Sequence, residues 1–151
     1  MFIIWSQKFE VGNDLIDTQH RMLAVLCMKL ELAVQSEQAP NIIRRSLQEI
    51  SKFVEFHFFS EEALMVEVRY PDLAHHRRAH GLLLAELKST IVHAKTQELT
   101  PAMAVVLIEK LLIKHMSEED AKLAQHIARS LNRPIGEELY AQYFVHGRTP
   151  A

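Results

Sequence analysis

The chain has 151 residues, 48% apolar and 24% charged, with four glycines, five prolines and one cysteine. That length suits one domain with a real core, and scarce Gly and Pro favour helices over a β-sandwich or a disordered chain. A net charge of −2 gives no electrostatic case for nucleic acid or an anionic membrane, and a lone Cys27 excludes an internal disulfide and fits a reducing compartment.

The opening MFIIWSQKFE is apolar only briefly and lacks the basic flank and long apolar stretch of a signal peptide. No run reaches the ~18 apolar residues of a membrane span. The cytoplasm is therefore the expected location. Residues 1–13 read as an extended arm, closed by Gly12 and Asn13, with Trp5 and Val11 as apolar anchors. A first helix is predicted from Asp14 or Asp17 to Gln35. Either acid suits an N-cap or a first turn, where the helix dipole favours negative charge. Its inward stripe is His20, Leu23, Cys27, Leu30 and Val34, which gives His20 a core position.

SEQAPN (36–41) is a turn, and a second helix follows to about Arg69. Its stripe of Ile43, Leu47, Ile50, Val54, His57, Glu61, Leu64 and Val68 alternates steps of four and three, an unbroken bundle seam. A carboxylate buried in such a seam needs a partner, because an unpaired buried charge costs several kcal/mol or forces protonation. Tyr70-Pro71-Asp72 turns the chain. The third helix, about 72–96, points Leu73, His76, His80, Leu83, Leu87, Ile91 and Ala94 inward. Thr100-Pro101 starts a fourth helix, a capping hydroxyl followed by Pro at the first helical position, and NRP (132–134) stops it.

That fourth helix carries an irregularity. Val105, Ile108, Leu112 and His115 form one stripe, and Asp120, Leu123, Ile127 and Leu131 form another. His115 and Asp120 are five apart, which on a regular helix separates them by about 140°. A one-residue slip, as a π-bulge between 115 and 120, would bring both inward. A broad seam through Leu112, Met116 and Asp120, with His115 on its flank, also fits the pattern. Residues 132–151 hold Leu139, Tyr143 and Phe144 in a short amphipathic extension whose role stays open.

The expected architecture is all-α: an up-down-up-down antiparallel four-helix bundle over residues 1–131, with an N-terminal arm and a C-terminal extension. Its inward faces collect His20, His57, Glu61, His76, His80, His115 and Asp120. Ligand pairs on core-facing helices are how bundles build metal sites. Five imidazoles and two carboxylates suit iron better than the thiolate sets of structural zinc or the all-oxygen sets of calcium and magnesium. If both carboxylates bridge, two octahedral metals sharing one oxo or hydroxo bridge are left with a single open position. His75, His93, His126 and His146 read as surface residues, Glu62 as a solvated acid or one behind the ligands, and Cys27 as a small core residue.

These residues resemble the hemerythrins, specifically the single-domain bacteriohemerythrins, from Trp5 to about Asp120. The stretches that carry the likeness are VGNDLIDTQH (11–20), HFFSEEALM (57–65), YP (70–71) with HRRAH (76–80), and LLIKHMSEED (111–120). The resemblance implies two iron ions with an oxo or hydroxo bridge. His76, His80 and His115 would hold one iron, His20 and His57 the other, and Glu61 and Asp120 would bridge. Dioxygen would bind reversibly at the iron with two histidines, for oxygen carriage, storage or delivery, with Phe58 and Leu112 walling the pocket. The chain departs from the family pattern at Leu111, often Trp, and at Leu83, often Phe.

No enzymatic activity is expected. The rival readings are a diiron enzyme handling peroxide or nitric oxide, and an oxygen or redox sensor. Ferritin-like oxidases use Glu-x-x-His pairs, and this chain has none. Dioxygen is the expected partner, with neither nucleic acid nor membrane. An oxygen-accepting protein is left open, and so is the choice between monomer and weak oligomer.

Overall fold

The computed structural model describes residues 10–131. Helix α1 runs Asp14–Gln35. Its N-cap is Asn13, whose side chain accepts from the Ile16 N–H at 3.0 Å, and Asp14 and Asp17 take the first-turn alternative. Asp17 turns back on the arm, accepting from the N–H groups of Val11 (2.8 Å) and Gly12 (3.1 Å). The acid thus fixes how the chain enters the bundle.

α1 ends on a tight reversal. Glu37 adopts a left-handed φ of 49°, and the Gln38 N–H reaches back to the Ala33 carbonyl at 2.9 Å, a Schellman closure. α2 (Pro40–Glu67) has Pro at its start and ends by the same device. Arg69 has φ 51°, and the Tyr70 N–H donates to Met65 O at 2.8 Å. α2 therefore stops slightly before the boundary expected from Pro71, because backbone closure precedes the proline. α3 (Leu73–Lys95) and α4 (Pro101–His115) follow, and the Thr100 side chain caps α4 by accepting from Met103 N–H at 3.2 Å.

The π-helical turn expected as one of two alternatives is present: Met116–Asp120 is π-helix, and α5 (Ala121–Leu131) continues the same rod. The Ser117 hydroxyl donates to Ile113 O at 2.8 Å and Lys114 O at 3.2 Å, occupying carbonyls at the point where the regular ladder is interrupted. The helices form a four-membered bundle in which α1 packs on α2, α2 on α3, α3 on α4, and α4 back on α1. None of the described helices is long and apolar enough to cross a membrane. The expected tail contacts of Leu139, Tyr143 and Phe144, the anchor Trp5 and the surface residue His146 lie outside the described residues.

The buried apolar residues fall into two clusters. One includes Leu23, Leu30, Ile50, Val54, Leu87, Ile108 and Leu112. The other includes Ile16, Leu64, Met65, Tyr70, Leu123 and Ile127. The helical order places His20 between Ile16 and Leu23, Glu61 between Phe58 and Leu64, and Asp120 between Met116 and Leu123. A polar layer therefore crosses the bundle between two apolar plugs. Water is kept from it on both sides.

Candidate metal centre

The sequence brings seven chemically special side chains into that layer. His20, Glu61, His76 and Asp120 have 0% of their surface exposed, and His57, His80 and His115 only 1%, 3% and 6%. Each arrives by helical periodicity. His57 and Glu61 sit one turn apart on α2, His76 and His80 one turn apart on α3. The π turn gives Asp120 the same inward direction as His115.

The two carboxylates each straddle two sets of imidazoles. Asp120 Oδ1 lies 2.9 Å from His115 Nε2 and 3.2 Å from His76 Nε2. Its Oδ2 lies 2.9 Å from His20 Nε2 and 3.6 Å from His57 Nε2. Glu61 Oε1 lies 3.6 Å from His57 Nε2, while its Oε2 is 3.2 Å from His80 Nε2 and 3.5 Å from His76 Nε2. Ligand atoms of Glu61, His76, His80, His115 and Asp120 fall within 4.8 Å of one another, as do those of His20, His57, Glu61 and Asp120. Two clusters share two acids.

The electrostatics follow from this crowding. Burial and the neighbouring His57 compete at Glu61, together with repulsion from Asp120; the imidazoles win and hold its carboxyl below the usual range. Burial likewise opposes ionisation of Asp120, and His115, His20 and His57 outweigh it, holding the group well below the ordinary aspartate value. Burial would lower His76, but Asp120 and Glu61 raise it to about 9. His57 is raised for the same reason against the same penalty.

Not all these atoms are spoken for by hydrogen bonds. His57 Nε2, Glu61 Oε1, His76 Nε2, His115 Nε2 and Asp120 Oδ1 are buried and aimed at one another without hydrogen-bond geometry. Orphaned lone pairs converging from both acid and imidazole are the signature of a donor set that fits a metal. Two of the outer nitrogens are held from behind. His57 Nδ1 donates to Gln19 Oε1 at 2.7 Å, and His80 Nδ1 donates to Glu62 Oε1 at 3.0 Å.

Around this layer Phe58 stacks on His80, with ring centroids 3.8 Å apart and planes 8° from parallel, and it also approaches His115 at 5.2 Å. Leu112 is buried beside it in the larger apolar cluster, Leu83 is buried there too, and Leu111 is partly buried. Of the histidines expected at the surface, His75 is exposed, with its Nε2 3.4 Å from Glu119. His126 is only half-exposed: its ring packs on Tyr70 at 5.2 Å, and its Nε2 lies 3.4 Å from the Val68 carbonyl at the end of α2. Cys27 is buried, and that burial, with Glu109 and Glu31 adding, pushes its thiol up to about 12, so it is a core residue and not a reactive thiol.

Sequence reasoning missed Gln19 as a partner of His57, and the burial of Glu31 and Glu109. Gln19 had one faint signal, its place directly before His20. Glu31 follows Cys27 by one turn, which was enough to put it near the core.

Fold and site together define a helical-bundle metal-binding protein of the imidazole–carboxylate kind. The family model described as "Hemerythrin HHE cation binding domain" matches residues 11–127. A bacteriohemerythrin of Campylobacter jejuni is 30% identical over 117 residues, covering 77% of this chain and 88% of that protein. Bacteriohemerythrins of Stenotrophomonas maltophilia and Pseudomonas aeruginosa are 25% and 21% identical, covering 87% and 90% of this chain and 85% and 88% of their own lengths. The chain belongs to the hemerythrin family. Non-haem iron and dioxygen binding are properties of that family.

Proposed function

We propose that this protein binds dioxygen reversibly at a diiron centre, serving oxygen carriage, storage or delivery in the bacterial cytoplasm. The observation that carries the reading is the straddling of Glu61 and Asp120 between two groups of histidines. His76, His80 and His115 would hold one iron, His20 and His57 the other, and both acids would bridge. This unequal split would leave room for a small ligand at the iron with two histidines.

When bound, the iron pair supplies electrons that dioxygen takes up and gives back. The chain's own residues do the rest. Glu61 and Asp120 balance the metal charge in a site that water does not reach, and the five imidazoles are neutral donors that keep the iron pair reducible. Phe58 and Leu112 form an apolar wall, which slows entry of water and protons and so disfavours one-way oxidation. The donor set also favours binding over oxidase chemistry, since it is rich in histidine and lacks the Glu-x-x-His pairs of ferritin-like oxidases.

The test is spectroscopic. Iron-loaded, fully reduced protein is exposed to air, its visible absorption recorded, and the gas then stripped with argon. Return of the colourless reduced spectrum over repeated cycles is expected. Oxidation that stripping does not reverse on the first cycle would contradict carriage and favour an enzyme.

A further inference from the structure

His57 and His80, one candidate ligand from each group, differ in what stands behind their imidazoles. On the α1–α2 side, His57 Nδ1 donates to the amide oxygen of Gln19 at 2.7 Å, and Gln19 Nε2 donates to Ser60 Oγ at 3.0 Å. Gln19 and Ser60, the residues behind the ring, are both uncharged. On the α2–α3 side, His80 Nδ1 donates to the carboxylate of Glu62 at 3.0 Å, and the other Glu62 oxygen accepts from Arg77 Nε at 3.1 Å. The acceptor there carries charge and is locked in place by a guanidinium.

Both arrangements reach across a helix boundary. Gln19 on α1 precedes the candidate ligand His20 but holds His57 on α2. Glu62 on α2 follows the candidate ligand Glu61 but holds His80 on α3. A hydrogen bond from Nδ1 fixes the ring so that the Nε2 lone pair faces the centre. The acceptor's charge then decides how strongly the ring donates. A carboxylate draws on the Nδ1 proton more strongly than an amide oxygen and leaves the imidazole richer in electrons.

We propose that Glu62 and Gln19 are positioning residues that make the two metals electronically unequal. Glu62 strengthens donation by His80 and so favours the ferric state at the metal with three histidines. Gln19 orients His57 without adding charge and leaves the metal with two histidines the weaker-donor side. The room for a small ligand and the neutral acceptor therefore fall on the same metal. This inference rests on the diiron reading above, and it concerns side chains that ligate nothing themselves.

Three variants separate orientation from charge. Glu62→Gln keeps an acceptor for His80 and removes the charge, Glu62→Ala removes both, and Gln19→Glu adds charge behind His57. In the metal-free protein His80 Nε2 also lies 3.2 Å from Glu61 Oε2, so the two acids share the ring protons, and 15N NMR of the imidazoles should show the Nδ1–H share at His80 falling in Glu62→Ala. In iron-loaded protein, Glu62→Ala should bind iron about 10- to 100-fold more weakly, the usual loss for removing such a partner. Glu62→Gln should keep the wild-type iron content and shift the midpoint potential upward in a spectroelectrochemical titration, and Gln19→Glu should shift it downward.

A wild-type potential in Glu62→Gln, or an unchanged Nδ1–H share at His80 in Glu62→Ala, would overturn the proposal. Failure of the diiron reading looks different: the wild type itself would not hold two irons per chain, and the tautomer measurement would still decide whether Glu62 orients His80.

Discussion

His115 Nε2 and Asp120 Oδ1 lie 2.9 Å apart, although five residues separate them within one continuous helical rod. On a regular α-helix that spacing would turn them about 140° apart, and Asp120 could not share a site with His115. The π turn Met116–Asp120 absorbs the mismatch and keeps Leu123 and Ile127 pointing into the second apolar cluster.

A turn of this kind is a one-residue insertion in an α-helix, so removing one residue from it should be tolerated. Deletion of Ser117 is expected to preserve helical circular dichroism and cooperative unfolding, within about 2 kcal/mol of the wild type. Deletion of Gln125 in regular α5 should instead rotate Ile127 out of the core and cost more than about 3 kcal/mol. Urea titrations of both deletions decide it. Equal damage from the two would mean that the turn is not a register correction.

Phe58 lies against His80 at 3.8 Å and is 5% exposed. Phe58→Ala should cost about 3–5 kcal/mol, as removal of a buried aromatic usually does. It should also shorten the lifetime of the oxygenated protein by opening the site to water. Stopped-flow absorbance would follow that lifetime. A variant destabilised to this extent with an unchanged lifetime would make Phe58 a packing residue alone.

The metal-free protein should have a stability optimum on the acid side of neutrality. His76 is raised to about 9 from an unfolded value near 6.5. Its contribution is fully present below about pH 6.5 and is lost as pH rises through about 9. The raised His57 adds in the same direction. Glu61 and Asp120 are lowered, so their contribution is present above about pH 4 and is lost only as pH falls through their depressed folded values. Urea midpoints should therefore fall between pH 6 and 9.5, by roughly 2–3 kcal/mol in unfolding free energy. The fall should shrink in His76→Gln. Iron uptake should run the other way and tighten over the same interval, since imidazoles must lose protons to bind metal. A flat midpoint across that range would contradict the charge coupling between His76 and the two acids.

Much of this site is legible in the sequence because the candidate ligands obey the same periodicity as the core. His20, His57 and Glu61, and His76 and His80, occupy stripe positions flanked by Leu23, Val54 and Leu83, all of which are buried. The break in phase between His115 and Asp120 was legible as a mismatch, but the sequence admitted a broad seam as well, since Met116 is also buried. What periodicity does not encode is pairing between helices. Gln19 looks like a surface-facing neighbour of a candidate ligand, and Glu62 like a solvated acid or one behind the ligands; the partner of each depends on which helix lies alongside. The helix start was open in the sequence, a cap or a first turn for Asp14 and Asp17, because Asn13 and both acids can all cap; Asn13 caps and the acids lie in the first turn. Asp17 had a stronger use, accepting two backbone N–H groups from the arm.

In the proposed function Glu61 and Asp120 link two metals held by five histidines, whose candidate ligand atoms cluster in two groups sharing both acids. Quantitative metal analysis of the protein, loaded anaerobically with ferrous iron and desalted, tests it most directly, with Glu61→Ala measured alongside and circular dichroism as the folding control. Two irons per wild-type chain are expected, with a substantial loss of iron in a Glu61→Ala variant that keeps its helices. A single zinc in the wild type, or two irons retained without Glu61, would contradict it.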